Sequence, residues 1–234
     1  LHDRDEVEEE RHLGLHAEEE QCAAAARARL MGITGLLLAA GRGTRFGGGK
    51  LTHALPGTDT PLVVAAWNNL RAAIPDACAV VRSGDAAVLS VLTAAHARVV
   101  VCDDAAEGMA RSLACGVRGN AYATGWIVAL GDMPAVSGQT LRRVVEALRA
   151  GAPIVVPVHA GRRGHPVGFS ARFYGELVAL RGDVGARDVL RAYADEVIEL
   201  DVRDPGILAD VDTRDDLAAL TRKFHEVGGE TSKA

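Results

Sequence analysis

The sequence is short of aromatic rings: Phe, Tyr and Trp together make up 4% of its 234 residues. Its core must therefore be filled with Ala, Val and Leu, which suits strands buried on both faces beneath helices. Cationic excess is missing too. The chain carries 26 Lys and Arg against 31 Asp and Glu, a formal charge of −5. No global basic field exists to draw in nucleic acid, so affinity for anions has to be local. Cys22, Cys78, Cys102 and Cys115 form no CxxC pair and no Cys/His zinc spacing, which reads as small apolar-segment residues in a reducing compartment. No apolar run approaches the roughly 20 residues that span a bilayer, and the acidic N-terminus has no apolar signal region. The expectation is a cytoplasmic protein of one sizeable domain, with neither membrane nor nucleic acid as partner.

The charge is unevenly spread. Residues 1–30 hold nine acidic and four basic residues, so the remainder is neutral. This segment turns from Glu-rich to Ala-rich (EEEQCAAAARARL) without a wide apolar face, and is expected to be an extension, helical or disordered. A folded domain is expected over 31–225, with a flexible tail over 226–234. Within it, short apolar runs alternate with amphipathic ones. Strands are expected at Ile33–Ala39, Ala77–Val81, Ala97–Cys102, Trp126–Leu130, Ile154–Val158 and Val197–Val202. Helices are expected at Pro61–Ala73, Ala86–Ala95, Met109–Arg118, Gly138–Arg149, Ala171–Leu180, Ala186–Ala194 and Thr213–Phe224. That alternation predicts a three-layer α/β/α, Rossmann-like fold with a mainly parallel sheet, whose ligands sit beyond the carboxyl ends of the strands.

Directly after the first strand comes LAAGRGTRFGGGK, residues 38–50. A Walker A loop would need Gly at Thr44 and a hydroxyl at Leu51. A dinucleotide fingerprint would need its third Gly at Phe46. Neither motif fits. What remains is a glycine-rich loop whose backbone N–H groups can converge on phosphates, with Arg45 as a fork and Lys50 as a point charge to neutralise them. Asp132 lies just past an apolar strand, where a magnesium-binding carboxylate is useful. Thr213 and Asp216 have capping-box spacing; the cap leaves Asp210 and Asp212 unexplained.

Several motifs in order resemble one family. LAAGRGTRFGGGK is similar to the LAAGxGxR(F/M)GxxK signature of sugar-nucleotide and molybdenum-cofactor nucleotidyltransferases, and GDMP at 131–134 to their metal-binding motif. RRGHPVGF at 162–169, GDVGAR at 182–187 and DVDTRDDL at 210–217 resemble the molybdenum cofactor cytidylyltransferase and molybdopterin-guanine-dinucleotide-synthase-like branch. The resemblance implies Mg2+-dependent transfer of CMP from CTP to a phosphate-bearing acceptor, molybdopterin, with a molybdenum hydroxylase as eventual partner. It assigns Ala39, Ala40, Gly41, Gly43, Arg45, Lys50, Gly108 and Ser112 to the nucleotide. Asp132 and Asp212 go to the metal, and Lys50, Arg45 and Asp132 to catalysis. Arg163, His165, Asp183 and Arg187 go to the acceptor. The segment after Lys50, LTHALPGTDTPL, departs from the family pattern at Thr52 and His53. The same group includes proteins named nicotine blue oxidoreductase. This implies an alternative, NADPH- or NADH-dependent reduction of a small quinonoid or dye-like compound, with Arg82 meeting a 2′-phosphate.

Overall fold

The computed structural model describes residues 32–41 and 43–220. The expected extension over 1–30 and tail over 226–234 lie outside the described residues.

Eight strands form one sheet: β1 (Ile33–Leu38), β2 (Ala77–Arg82), β3 (Val99–Cys102), β4 (Gly125–Leu130), β5 (Ile154–His159), β6 (Arg162–Arg163), β7 (Val167–Ser170) and β8 (Val197–Asp201). Their order is β3-β2-β1-β4-β7-β5-β6, and β8 also pairs with β5, off this path. All pairings are parallel except those of β6 and β7. The chain leaves β1 toward β2 and β3 on one side and returns to place β4 on the other. β1 and β4 therefore flank a topological switch point, where their carboxyl ends open a crevice.

The expected elements match closely: α1 (Leu62–Ala73), α2 (Ala86–Ala94), α3 (Met109–Arg118), α4 (Gly138–Arg149), α5 (Tyr174–Ala179) and α6 (Arg187–Ala192) lie where their periodicity placed them. Residues 214–220 are helical as well. Two differences stand out. The expected helix from Ala171 opens as a 3-10 turn, Ala171–Phe173, before α5. Residues 167–170, to which the sequence pattern assigns no element, form β7, which runs antiparallel between β4 and β5.

Strand alternation builds the two outer layers. On β1 and β4, Leu37, Ile127 and Ala129 face one hydrophobic cluster with α1, α2 and α4. Leu36, Leu38, Trp126 and Val128 face the other, with α3 and α5.

A buried carboxylate ties the sheet's far half to the crevice. Asp204, 8% exposed, accepts from Ser137 N at 2.9 Å, Thr140 Oγ1 at 2.6 Å and Gly206 N at 2.9 Å. It thereby holds Ser137, the N-cap of α4, and fixes the segment leading to residues 210–212. Asp204→Ala removes the acceptor of three hydrogen bonds, two of them buried, and is expected to lower unfolding free energy by about 3 kcal/mol. Urea denaturation checks this, and an unchanged midpoint contradicts it.

Candidate active site

The loop after β1 is pinned at two apolar points. Phe46 and Leu51 are buried in the core, and Phe46 meets His53 edge-on at 5.4 Å. Between these anchors Gly47, Gly48 and Gly49 all have positive φ, which lets the chain turn back on itself. A Cβ on Gly43 would stand 2.9 Å from Lys50 Cβ, so glycine there makes room for the lysine. The result is that Lys50 is aimed inward at the switch point.

Lys50 Nζ lies 2.7 Å from Asp132 Oδ2 and 3.1 Å from Asp212 Oδ1, and Arg45 Nη1 lies 2.8 Å from Asp212 Oδ2. The Lys50 side chain is 9% exposed and that of Arg45 is 79%. Burial works to lower the lysine's pKa. The charge and hydrogen bond of Asp132, and then those of Asp212, outweigh it and raise the pKa above the ordinary value. The Lys50 hydrogen bond, against burial, holds the Asp212 carboxyl below the usual range, with the Lys50 and Arg45 charges adding to it. The cluster's contribution therefore persists across neutral pH. It is lost in acid as pH falls through the depressed value of Asp212, and in alkali as pH rises through the raised value of Lys50.

The two carboxylates reach this point by different routes. Gly131 N donates to Leu38 O at 2.9 Å, so the first residue past β4 is fastened to the end of β1 and Asp132 follows at the mouth. Asn69 on α1 donates to Pro134 O at 2.8 Å and holds the turn beyond. Val211 N donates to Asp132 O at 3.0 Å, which lays the second segment against the first. Thr213 and Asp216 form the expected capping box, with Asp216 N to Thr213 Oγ1 at 3.2 Å and Thr213 N to Asp216 Oδ2 at 2.7 Å. The same carboxylate also accepts from Asp212 N and so positions Asp212.

Beside the cluster opens a cleft of about 310 Å³ lined by Ala40, Gly41, Lys50, Gly108, Met109, Ser112, Asp132 and Asp183, with Ala105 and Ala106. Gly108 has a φ of 127° and precedes α3. Ala39 is buried in the cluster with α1, α2 and α4 and is not among the lining residues. Asp183, expected on the acceptor side, lines this cleft with the nucleotide-side residues. Arg163 is not among the lining residues; on β6, its Nε donates to Glu199 Oε1 at 2.6 Å. Arg82 pairs with Asp85 at 3.2 Å and is likewise outside the lining. Thr52 and His53 are outside it too, although neighbouring Leu51 contributes.

His165 follows β6, and its peptide bond to Pro166 is cis. Its backbone N donates to Ile207 O at 3.0 Å, and its Nδ1 is buried with no hydrogen-bond partner among the described residues. Burial lowers the imidazole's pKa, against the Val128 backbone, Asp132 and Asp210, while the Arg187 charge adds to the lowering. His165 is thus neutral at physiological pH, and it is not among the residues lining the cleft.

Sequence reasoning missed Asn69, Asp204 and the anchoring role of Phe46. The Phe between paired glycines was the one signal of an anchored loop. The contact of Gly108 with the loop carrying Asp183 gives a test. A Cβ there would stand 2.3 Å from Asp183 Oδ1 and 2.4 Å from Gly182 O. Gly108→Ala is expected to displace that loop and weaken nucleoside triphosphate binding about tenfold, a loss of about 1.4 kcal/mol. Isothermal calorimetry giving equal affinity would contradict this.

Residues 35–197 match the MobA-like NTP transferase domain. The nicotine blue oxidoreductase of Paenarthrobacter nicotinovorans is 31% identical over 201 residues, covering 80% of this chain and 96% of that protein. Rv0371c of Mycobacterium tuberculosis H37Rv is 34% identical with a TM-score of 0.67, covering 81% of this chain and 97% of that one. A structure of Rv0371c in complex with manganese shows 32% identity at the same coverage and TM-score. A Methanothermobacter nucleotidyl transferase, Mth528, shares the fold at 23% identity and a TM-score of 0.71, covering 83% of this chain and 98% of that one. With a phosphate-type loop, two converging carboxylates and a cleft at the switch point, the chain belongs to the MobA-like NTP transferase family and is a nucleotidyltransferase.

Proposed function

We propose that the protein transfers CMP from CTP to a phosphate-bearing acceptor of the molybdopterin kind, with Mg2+ and release of pyrophosphate. One observation carries this reading: Asp132 and Asp212 already converge on a single cation, the Lys50 ammonium, at the mouth of the cleft. The lysine ammonium stands in for the positive charge of a divalent ion between the two carboxylates, and a carboxylate pair suits magnesium. The manganese complex of Rv0371c supports a divalent metal here. When bound, the ion supplies charge neutralisation along the phosphates.

The chain's own groups do the rest. An acceptor phosphate oxygen attacks the α-phosphorus, the bond to the β-phosphate bridge breaks, and pyrophosphate leaves with the new charge. Lys50 and Arg45 turn from the carboxylates to that leaving group, where their stabilisation is worth most. A methyl group on Gly41 would meet nothing within 4 Å, so phosphate has room against the backbone there. Ala105 and Ala106 provide a small apolar wall of the cleft against which a base can pack. Neutral His165, with Arg187 and Asp210 acting on it, flanks the acceptor side. The product dinucleotide would be delivered to a molybdenum hydroxylase.

A second reading rests on the similarity to nicotine blue oxidoreductase: NAD(P)H-dependent reduction of a small quinonoid compound on the same fold. Hydride transfer has no use for the Asp132–Asp212 pair, and Arg82 is paired to Asp85 rather than facing the cleft. Asp132→Asn separates the two. Folding is expected to persist while Mg2+-dependent pyrophosphate release from CTP falls by about two orders of magnitude. NAD(P)H oxidation that ignores both EDTA and the substitution, without pyrophosphate, would establish the second reading instead.

A further inference from the structure

Two thiols and a carboxylate converge away from the Lys50 cluster, at the root of the β3–α3 connection. Cys102 ends β3, Asp104 follows it, and Cys115 lies on α3. One ligand atom from each lies within 4.8 Å of the other two, the one such group of three among the described residues. Cys102 Sγ is 3.2 Å from Asp104 Oδ1 and 3.7 Å from Arg111 O, and Cys115 Sγ is 3.9 Å from Val101 O. Neither thiol is in a disulfide.

The geometry is close to what a tetrahedral ion requires. Metal–sulfur bonds of about 2.3 Å and metal–oxygen bonds of about 2.1 Å put neighbouring ligand atoms roughly 3.5–3.8 Å apart. Small side-chain movements would close the present triangle onto an ion. Cys102 is buried, whereas Cys115 and Asp104 are half-buried, so the ion has an entry path and solvent can fill a fourth position. Charge also balances. Two thiolates and a carboxylate around a divalent ion leave one negative charge, with Arg111 at 3.5 Å and Arg118 at 4.0 Å from Asp104 Oδ2 to offset it. The sulfur ligands select against Mg2+, which prefers oxygen.

We propose that Cys102, Asp104 and Cys115 form a second cation site, for a thiophilic divalent ion such as Zn2+, separate from the carboxylate pair in the cleft. Its position gives it a consequence. The segment it fastens continues into Ala105, Ala106 and Gly108, one wall of the nucleotide cleft, so a bound ion braces that wall.

The test uses the full chain, reduced and stripped with chelator, in excess Mg2+ to occupy oxygen-rich sites. Titration with Co2+ is expected to give thiolate-to-cobalt charge-transfer absorption saturating at one equivalent, and one equivalent of Zn2+ is expected to abolish it. Cys115→Ser is expected to remove the band, Asp104→Asn to weaken Co2+ binding about tenfold or more, and Cys78→Ser to leave it intact. Zn2+ is expected to raise the thermal midpoint of the parent and not of Cys115→Ser. Absence of the band, or a band that survives Cys115→Ser, overturns the site. Were Cys115→Ser to misfold, undiminished Co2+ affinity in Asp104→Asn would overturn it equally. None of these readouts depends on the reaction in the cleft.

Discussion

A lysine ammonium held almost out of water between two carboxylates is the interaction around which this site is organised. Removing Lys50 from solvent is costly, and its attraction to Asp132 and Asp212 outweighs that cost for the charged form; even so, such partly buried clusters are weak contributors to stability. The surrounding structure is nonetheless arranged to preserve it. Phe46 and Leu51 anchor the loop that carries Lys50. The Val211–Asp132 backbone bond and the Asp216 carboxylate position the two acids. Asp204 holds the approach to both segments. A cluster that adds little stability, yet has a dedicated frame, is what the proposed function would require. On the proposed function, nucleotide phosphates would draw off the cations and leave Asp132 and Asp212 free to hold a divalent metal.

The fold makes this economical. At the β1/β4 switch point the chain diverges to both sides, so no crossover helix closes the crevice. Residues just past the two central strands, Gly41 and Asp132, fall on opposite lips of one opening. The third contribution comes from α3, and the loop at Gly182–Asp183 seals its start by approaching Gly108 more closely than any side chain would allow.

Much of this was legible in the sequence because period and punctuation agreed. The parallel strands were short apolar runs, and each following helix had its own stripe, so their placement came within a residue or two. β7 was not legible. Four residues after His165-Pro166, one of them glycine, carry too little pattern to distinguish a strand from a turn, and direction is decided by the β4 and β5 edges on either side. Asp183 and Arg163 show the corresponding limit for the site. The resemblance assigns both to the acceptor, yet they lie apart: Asp183 lines the cleft beside Gly108, and Arg163 pairs with Glu199. The Cys102–Cys115 pairing was equally invisible, because one thiol ends a strand and the other lies on the helix folded back over it. The absence of a zinc spacing along the chain said nothing about proximity in space.

The central claim is that Lys50 and a divalent ion compete for the same two carboxylates until nucleotide phosphates take the lysine away. Binding of Mn2+ in the absence of nucleotide, followed by the paramagnetic resonance of the free ion, tests this directly in the parent and in Lys50→Met. The account predicts that removing the ammonium tightens Mn2+ binding about tenfold, because the ion no longer has to displace a charge-assisted pair worth about 1.5–3 kcal/mol, while affinity for CTP falls. Mn2+ affinity that is unchanged or weaker in Lys50→Met would contradict it.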